Sequence, residues 1–300
     1  MLTLDRVSKV YSVGTFGGGQ LQAVTDVSLR IDGGEIVSLI GESGSGKSTI
    51  GKLILRLARV TSGTIAFEGA DISGLRRGRL KNYYGSVQGV FQDPFSSYNP
   101  IFKVGRVFDM VRDGLVPGRG GADWPRKVEQ ALAAVGLDAG EVLHKFPHQL
   151  SGGQLQRLLV ARALVLDIRL LVADEVISML DASTRIDVLN LLADLRARGL
   201  GILFITHDLS LGHYISDRTV ILRRGRIVET AETTKLFSDP RHPYTRMLLA
   251  SVPQLGQKWG HGAPFRGDLS APAEAPEVLT EVDDGHFVAI AHTNGRKEEA

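Results

Sequence analysis

The sequence predicts an α/β fold built around a parallel sheet. Two observations carry this. Three apolar runs, residues 36–40, 170–173 and 202–205, are each followed by polar or glycine-rich residues and then by a helical pattern. Short apolar runs read as strands buried on both faces, and strands alternating with helices make a parallel sheet. In addition, the first run ends in Gly41-Glu42-Ser43-Gly44-Ser45-Gly46-Lys47-Ser48, and a helical stretch begins at Ser48-Thr49-Ile50.

That segment fits G-x-x-x-x-G-K-[ST], the P-loop pattern, in the strand–turn–helix setting the pattern requires. Glycines let backbone N–H groups face phosphates without Cβ clashes, and the helix N-terminus adds partial positive charge. Lys47 is expected to reach the β- and γ-phosphates, and the Ser48 hydroxyl to ligate Mg²⁺. The expected phosphate-binding set is Gly41, Ser43, Gly44, Ser45, Gly46, Lys47, Ser48 and Thr49. Leu53, Ile54 and Leu57 are spaced to give the helix a packed face. A glycine-rich turn without a ligand is the alternative, and it leaves eight correctly placed positions unexplained.

The other two runs end in polar residues suited to the same chemistry. Asp174-Glu175 follows residues 170–173. Asp174 at a strand end can hold the hydration shell of Mg²⁺, and Glu175 can polarise an attacking water. Thr206-His207-Asp208 follows residues 202–205; a residue at a strand's carboxyl end faces the ligand crevice of a doubly wound sheet, so His207 is placed to touch the γ-phosphate. Gln92 follows a strand candidate at residues 86–91 and can sense the metal and the water. The expected catalytic residues are thus Glu175, His207 and Gln92, and the metal-binding residues Ser48, Gln92 and Asp174.

Leu150-Ser151-Gly152-Gly153-Gln154 and Ser178-Met179-Leu180-Asp181 complete an ordered set. On these motifs the first 250 or so residues resemble the nucleotide-binding subunit of an ATP-binding cassette (ABC) protein. The resemblance implies an ABC cassette of the P-loop NTPase class, with a parallel-sheet core, an antiparallel β subdomain and an inserted helical subdomain. It implies ATP hydrolysis with Mg²⁺ and two cassettes facing head to tail. Ser151, Gly152, Gly153 and Gln154 would then complete the site at a partner's P-loop. The physics agrees: Ser151 caps a helix whose N–H groups point at an anion, while Leu155, Leu158, Leu159 and Ala163 form its apolar face. Tyr11 lies where family members place an aromatic that stacks on adenine; an aromatic packing on the sheet at the end of the first strand is the alternative.

The segment Val90-Phe91-Gln92-Asp93-Pro94-Phe95-Ser96-Ser97-Tyr98-Asn99-Pro100 looks like the corresponding loop of oligopeptide/dipeptide importer ATPases. Asp239-Pro240-Arg241-His242-Pro243-Tyr244-Thr245-Arg246-Met247-Leu248-Leu249 looks like that branch's tail segment. This implies two transmembrane permease subunits, a second ATPase subunit, identical or paralogous, and indirectly an extracytoplasmic solute-binding protein. The solute would be a peptide or a related small solute such as an oligosaccharide. Phe95, Tyr98 and Phe102 are candidates for receiving a permease helix; packing inside the helical subdomain is the alternative for each. Three departures stand out. Val176 and Ile177 occupy positions where Pro-Thr is common, and Leu155 one where Arg is common. The chain also has no cysteine, which excludes the branch's iron–sulfur cluster.

Composition bounds the rest. The chain has 300 residues, 43% of them hydrophobic, and a formal net charge of +2, which suits one large domain with appendages and gives no strong pull towards nucleic acid. The basic run Arg76, Arg77, Arg79 and Lys81 reads as a solvated face. No signal peptide pattern is present, and no uncharged apolar stretch approaches the ~20 residues of a membrane span. The expected location is therefore the cytoplasmic side of the inner membrane, held there by permeases. Residues 1–90 read as β-rich and 93–165 as helical, with Val128, Ala131, Leu132 and Val135 on one face and Gly136 as a stop. Residues 14–19 read as an insertion in the first hairpin. Residues 1–250 form the expected ATPase domain and 251–300 an extension, within which 278–282 and 287–290 are candidates for a hairpin. A soluble ABC subunit of a phosphonate-cleaving or other non-transport complex is the competing reading; a P-loop GTPase or kinase leaves residues 150–154 unexplained.

Overall fold

A computed structural model describes residues 1–13, 18–116, 123–251 and 277–291. The chain runs through β1 (Leu2–Val13), β2 (Gly19–Ile31), β3 (Ile36–Ile40), α1 (Lys47–Ile54), β4 (Ser62–Phe67), β5 (Ala70–Asp71), α2 (Arg77–Tyr84) and β6 (Val87–Val90). Among the described residues there follow the α-helices α3 (Arg106–Leu115), α4 (Trp124–Ala134), α5 (Ala139–Val142) and α6 (Gly152–Leu164). Alternation then resumes with β7 (Leu170–Asp174), α7 (Ala182–Ala197), β8 (Gly201–Thr206), α8 (Leu209–Ile215), β9 (Arg218–Arg223) and β10 (Arg226–Glu232). The chain ends in α9 (Thr233–Ser238), α10 (Pro243–Ala250), β11 (Glu277–Asp283) and β12 (His286–Ala291). The insertion expected at residues 14–19 lies mostly outside the described residues, as do 252–276 and 292–300 of the expected extension.

Two sheets result. One has four strands in the order β2-β1-β4-β5, all antiparallel, and the other eight in the order β11-β12-β10-β9-β3-β8-β7-β6. Within the larger sheet β9, β3, β8, β7 and β6 are parallel. Alternation along the parallel strands divides the core, because successive side chains point to opposite faces. Leu171, Ala173, Ile202 and Phe204 join the cluster under α4, α6 and α7. Leu170, Val172, Leu203 and Ile205 pack with Ile50 and Leu53 of α1 and with Leu2, Leu4 and Ile31 of the antiparallel sheet. The P-loop helix is therefore clamped between the two sheets.

Val128, Ala131, Leu132 and Val135 are all buried, and Gly136 ends α4 at φ 69°. Leu57, expected on the packed face of α1, is instead 61% exposed. The helix stops at Ile54 because Arg56 adopts φ 55° and closes a Schellman turn, in which the Leu57 N–H reaches the Lys52 carbonyl at 2.9 Å and the Arg56 N–H reaches Leu53. That cap usually requires glycine, so its usual sequence signal is missing. Residues 278–282 and 287–290 do pair across a turn at 284–285. The hairpin extends the large sheet, with Glu229 opposite Val288 and Thr230 opposite Phe287.

Candidate nucleotide site

The P-loop joins the end of β3 to α1. Gly44 and Gly46 have φ of 80° and 106°, the left-handed region that favours glycine. A Cβ at Gly41 would collide with the Leu222 carbonyl, and one at Gly46 with the Ala23 carbonyl, so neighbouring chain presses on the loop from two sides. Lys47 is nearly buried and folds back over its own loop. Its Nζ donates to the carbonyls of Gly41 at 2.7 Å and Glu42 at 2.8 Å. Burial pulls the Lys47 ammonium below its ordinary pKa, against the opposing pull of Glu175, Asp174 and Glu42.

Parallel neighbours place the other groups. Asp174 ends β7, and its Oδ1 accepts the Ser48 hydroxyl at 3.3 Å. Burial raises its pKa, with the Ser48 hydrogen bond opposing. Glu175 sits just beyond, its N–H donating to the Ile205 carbonyl at 2.9 Å. His207, beyond β8, brings Nδ1 to 3.2 Å from Glu175 Oε1. A cleft of about 760 Å³ gathers Ser43, Ser48, Gln92, Asp174, Glu175 and His207. Hydroxyl and carboxylate oxygens converging on one spot are hard donors of the kind Mg²⁺ takes.

Other expected site residues stand outside this cleft. Tyr11 is on β1, half-buried, with Lys9 Nζ 4.7 Å from its ring centre. Ser151 and Gln154 form a capping box on α6: Ser151 Oγ accepts the Gln154 N–H at 3.2 Å and Gln154 Oε1 accepts the Ser151 N–H at 3.0 Å. Gly153 packs against α7, where a Cβ would collide with the Thr184 methyl.

Leu155, Val176 and Ile177, the positions that depart from the family pattern, are all buried and all join the cluster beneath the helices. An apolar residue is what those places accept. Sequence reasoning missed two features. Arg162 is partly buried, donates to the Gly89 carbonyl at 3.3 Å and is lowered in pKa by desolvation, with Tyr98 opposing. Tyr244 reaches the P-loop: its hydroxyl accepts the Glu42 N–H at 3.4 Å. The segment around Tyr244 was conspicuous in sequence, but nothing local revealed what it touches.

Residues 24–178 match the ABC transporter family. The chain belongs to that family. Residues 228–278 match a second description, the oligopeptide/dipeptide transporter C-terminal region. The dipeptide transport ATP-binding protein DppF of Lactococcus lactis is 40% identical over 280 residues, covering 90% of this chain and 88% of DppF. The oligopeptide transport ATP-binding protein OppF of Streptococcus mutans is 41% identical over 258 residues, covering 85% and 82%. Among solved structures, the dimeric ATP-binding cassette MJ0796 in a post-hydrolysis state, bound to ADP and Pi, superimposes with a TM-score of 0.69 at 28% identity. It covers 78% of this chain and 99% of its own. This ABC protein binds and hydrolyses ATP. Among its described residues, no helix is long and apolar enough to cross a membrane.

Proposed function

We propose that this ABC ATPase drives import of peptides, or of a related small solute such as an oligosaccharide, through two transmembrane permeases. It would work as a head-to-tail pair with an identical or paralogous ATPase at the cytoplasmic membrane face, served by an extracytoplasmic solute-binding protein. The observation that carries peptide import is the match of residues 228–278 to the oligopeptide/dipeptide C-terminal region. The names of the L. lactis and S. mutans relatives support it, and neither supports the phosphonate-cleaving alternative.

The residues take these roles. Backbone N–H groups of the loop from Ser43 to Thr49 hold the phosphates. Lys47 leaves the Gly41 and Glu42 carbonyls to pair with the β- and γ-phosphates, exchanging neutral acceptors for charged ones. Ser48 and Asp174, with Gln92 in the same cleft, would hold Mg²⁺, which supplies charge neutralisation on the phosphate oxygens. Glu175 accepts the proton of the attacking water, and His207 steadies that carboxylate and faces the γ-phosphate. Tyr11 stacks on adenine. Ser151, Gly152, Gly153 and Gln154 close the site of the partner cassette through their helix N-terminus.

Phe95, Ile101 and Phe102 are exposed, and Phe95 falls in sequence between Asp93 and Ser96, which line the Gln92 cleft. These offer an apolar anchor for a permease helix. Tyr98, expected to share that role, is only 6% exposed and donates its hydroxyl to the Leu155 carbonyl at 3.5 Å. It belongs to the interior because its ring fills the space above α6.

Co-expression with the permeases of the neighbouring genes tests the assignment. The chain should co-purify with them from membranes, and peptide with the binding protein should stimulate its ATP hydrolysis. Co-purification with phosphonate-cleaving subunits would overturn it.

A further inference from the structure

Glu229 of β10 is fully buried. A carboxylate there must be completely hydrogen-bonded, since its lone pairs have no water. Its Oε1 accepts His286 Nε2 from β12 at 2.7 Å and the Arg241 N–H at 2.7 Å, and its Oε2 accepts the His242 N–H at 3.0 Å. The buried acid thus ties the C-terminal hairpin to the turn before α10. His242 Nδ1 accepts the Tyr244 N–H at 3.1 Å and caps α10. Tyr244 is 2% exposed, with the Arg223 guanidinium 5.0 Å from its ring centre. Its hydroxyl meets the Glu42 N–H, and the Glu42 carbonyl accepts Lys47 Nζ.

We infer that Tyr244 is a positioning residue for the P-loop: its hydroxyl holds the Glu42 peptide in the shape that receives the triphosphate, and the Glu229–His286 pair holds Tyr244 in place. The Glu42 carbonyl accepts both Lys47 Nζ and the Ser45 N–H, while Tyr244 holds the Glu42 N–H. Serving the phosphates takes Lys47 away. The Ser45 N–H still holds the Glu42 carbonyl, and Tyr244 remains on the Glu42 N–H to fix the start of the loop while the rest closes on ATP. Ile40, the last residue before the loop, shares an apolar cluster with Tyr244 and Ala289, so the hairpin and the loop rest on the same packing. Tyr244 is not among the residues lining the cleft that holds Glu175, so it acts through the loop. Without its hydroxyl the loop samples other shapes, and apparent affinity falls by the fraction of competent loops. The inference rests on ATP hydrolysis alone and is independent of the solute carried.

Tyr244→Phe tests this, because it keeps the ring and the Arg223 contact and removes only the hydroxyl. Steady-state hydrolysis and direct ATP binding are measured on the full chain, with melting temperature alongside. The loss of one hydrogen bond should raise KM and Kd for ATP about 3- to 10-fold, with kcat unchanged. His286→Phe, which removes a donor to Glu229 far from the loop, should give a smaller shift of the same kind. A lowered melting temperature with unchanged KM in Tyr244→Phe would make the hydroxyl merely structural and overturn the inference. Lowered kcat at unchanged KM would also overturn it. A KM shift in Tyr244→Phe but not in His286→Phe would overturn the part played by the Glu229–His286 pair.

Discussion

His207 Nδ1 lies 3.2 Å from Glu175 Oε1, although the two residues leave different strands 32 residues apart. Parallel pairing of β7 with β8 sets their carboxyl ends side by side, Asp174 opposite Ile205. Glu175 then turns into the left-handed region at φ 50°. A non-glycine residue there is strained, and such strain persists only where surroundings over-determine it. Here the Glu175 N–H bond to the Ile205 carbonyl and the burial of Val176 and Ile177 fix the turn. The carboxylate is thereby aimed into the cleft beside His207.

Glu175→Gln should therefore bind ATP with near wild-type affinity and lose about 10²- to 10⁴-fold in kcat, the range for removal of a general base. His207→Ala should lose less, since it frees the Glu175 carboxylate without removing it. Phosphate release under steady state, with ATP affinity measured separately, distinguishes the two. Wild-type turnover in Glu175→Gln would move the base elsewhere.

Ser151→Arg bears on the proposed completion of the site by a partner cassette. Ser151 is exposed and points its hydroxyl at the α6 N-terminus. An arginine there loses the cap, worth about 1 kcal/mol, and sets a cation against the positive end of the helix. ATP binding to the P-loop should survive, while hydrolysis and ATP-dependent dimerisation, followed by light scattering, should be lost. Normal hydrolysis in this variant would refute the head-to-tail arrangement.

Much of this cleft was legible because its parts sit at the ends of apolar runs. Residues 36–40, 170–173 and 202–205 announce strands, and a parallel sheet puts everything that follows them on one edge. What was not legible depends on distant partners or on atypical caps. Arg56 ends α1 without a glycine, so the helix face was read one turn too far to Leu57. Tyr98 reads like its exposed neighbours Phe95 and Phe102, and only the packing of α6 separates them. Glu229 and His286 are 57 residues apart in sequence, and no local period connects a buried acid with the histidine that satisfies it.

Asp181 gives a pH dependence. It caps α7: Oδ1 accepts Ser183 Oγ at 2.6 Å and the Thr184 N–H at 3.0 Å, and Oδ2 accepts Thr184 Oγ1 at 2.8 Å. These bonds, that of Ser183 first, hold the carboxyl well below the ordinary carboxylate range. A carboxyl depressed in the folded state adds stability above its unfolded pKa of about 3.9, and that stability fades as pH falls towards the folded value. Asp181→Ala should thus melt at a lower temperature than wild type near neutrality, with the gap shrinking below about pH 4. Melting curves across that range check it, and a constant gap would show that the charge is not involved.

Tyr98 and Phe102 should separate stability from assembly. Tyr98 is enclosed over α6, and burial pushes its phenol far above the ordinary range, with Arg162 opposing. Truncation to alanine opens a cavity that the packed helices cannot fill, so Tyr98→Ala should cost about 3–5 kcal/mol, as large aromatic truncations do. Phe102 is 51% exposed, and Phe102→Ala should change stability by no more than about 0.5 kcal/mol. Yet Phe102 belongs to the exposed apolar set proposed to receive a permease helix, so the same substitution should weaken recovery of the permeases from membranes. Denaturant melts measure the first effect and co-purification the second. If Phe102→Ala and Phe95→Ala together leave the complex intact, the permease docks elsewhere. If Tyr98→Ala is as stable as wild type but loses the permeases, its ring contacts the partner after all.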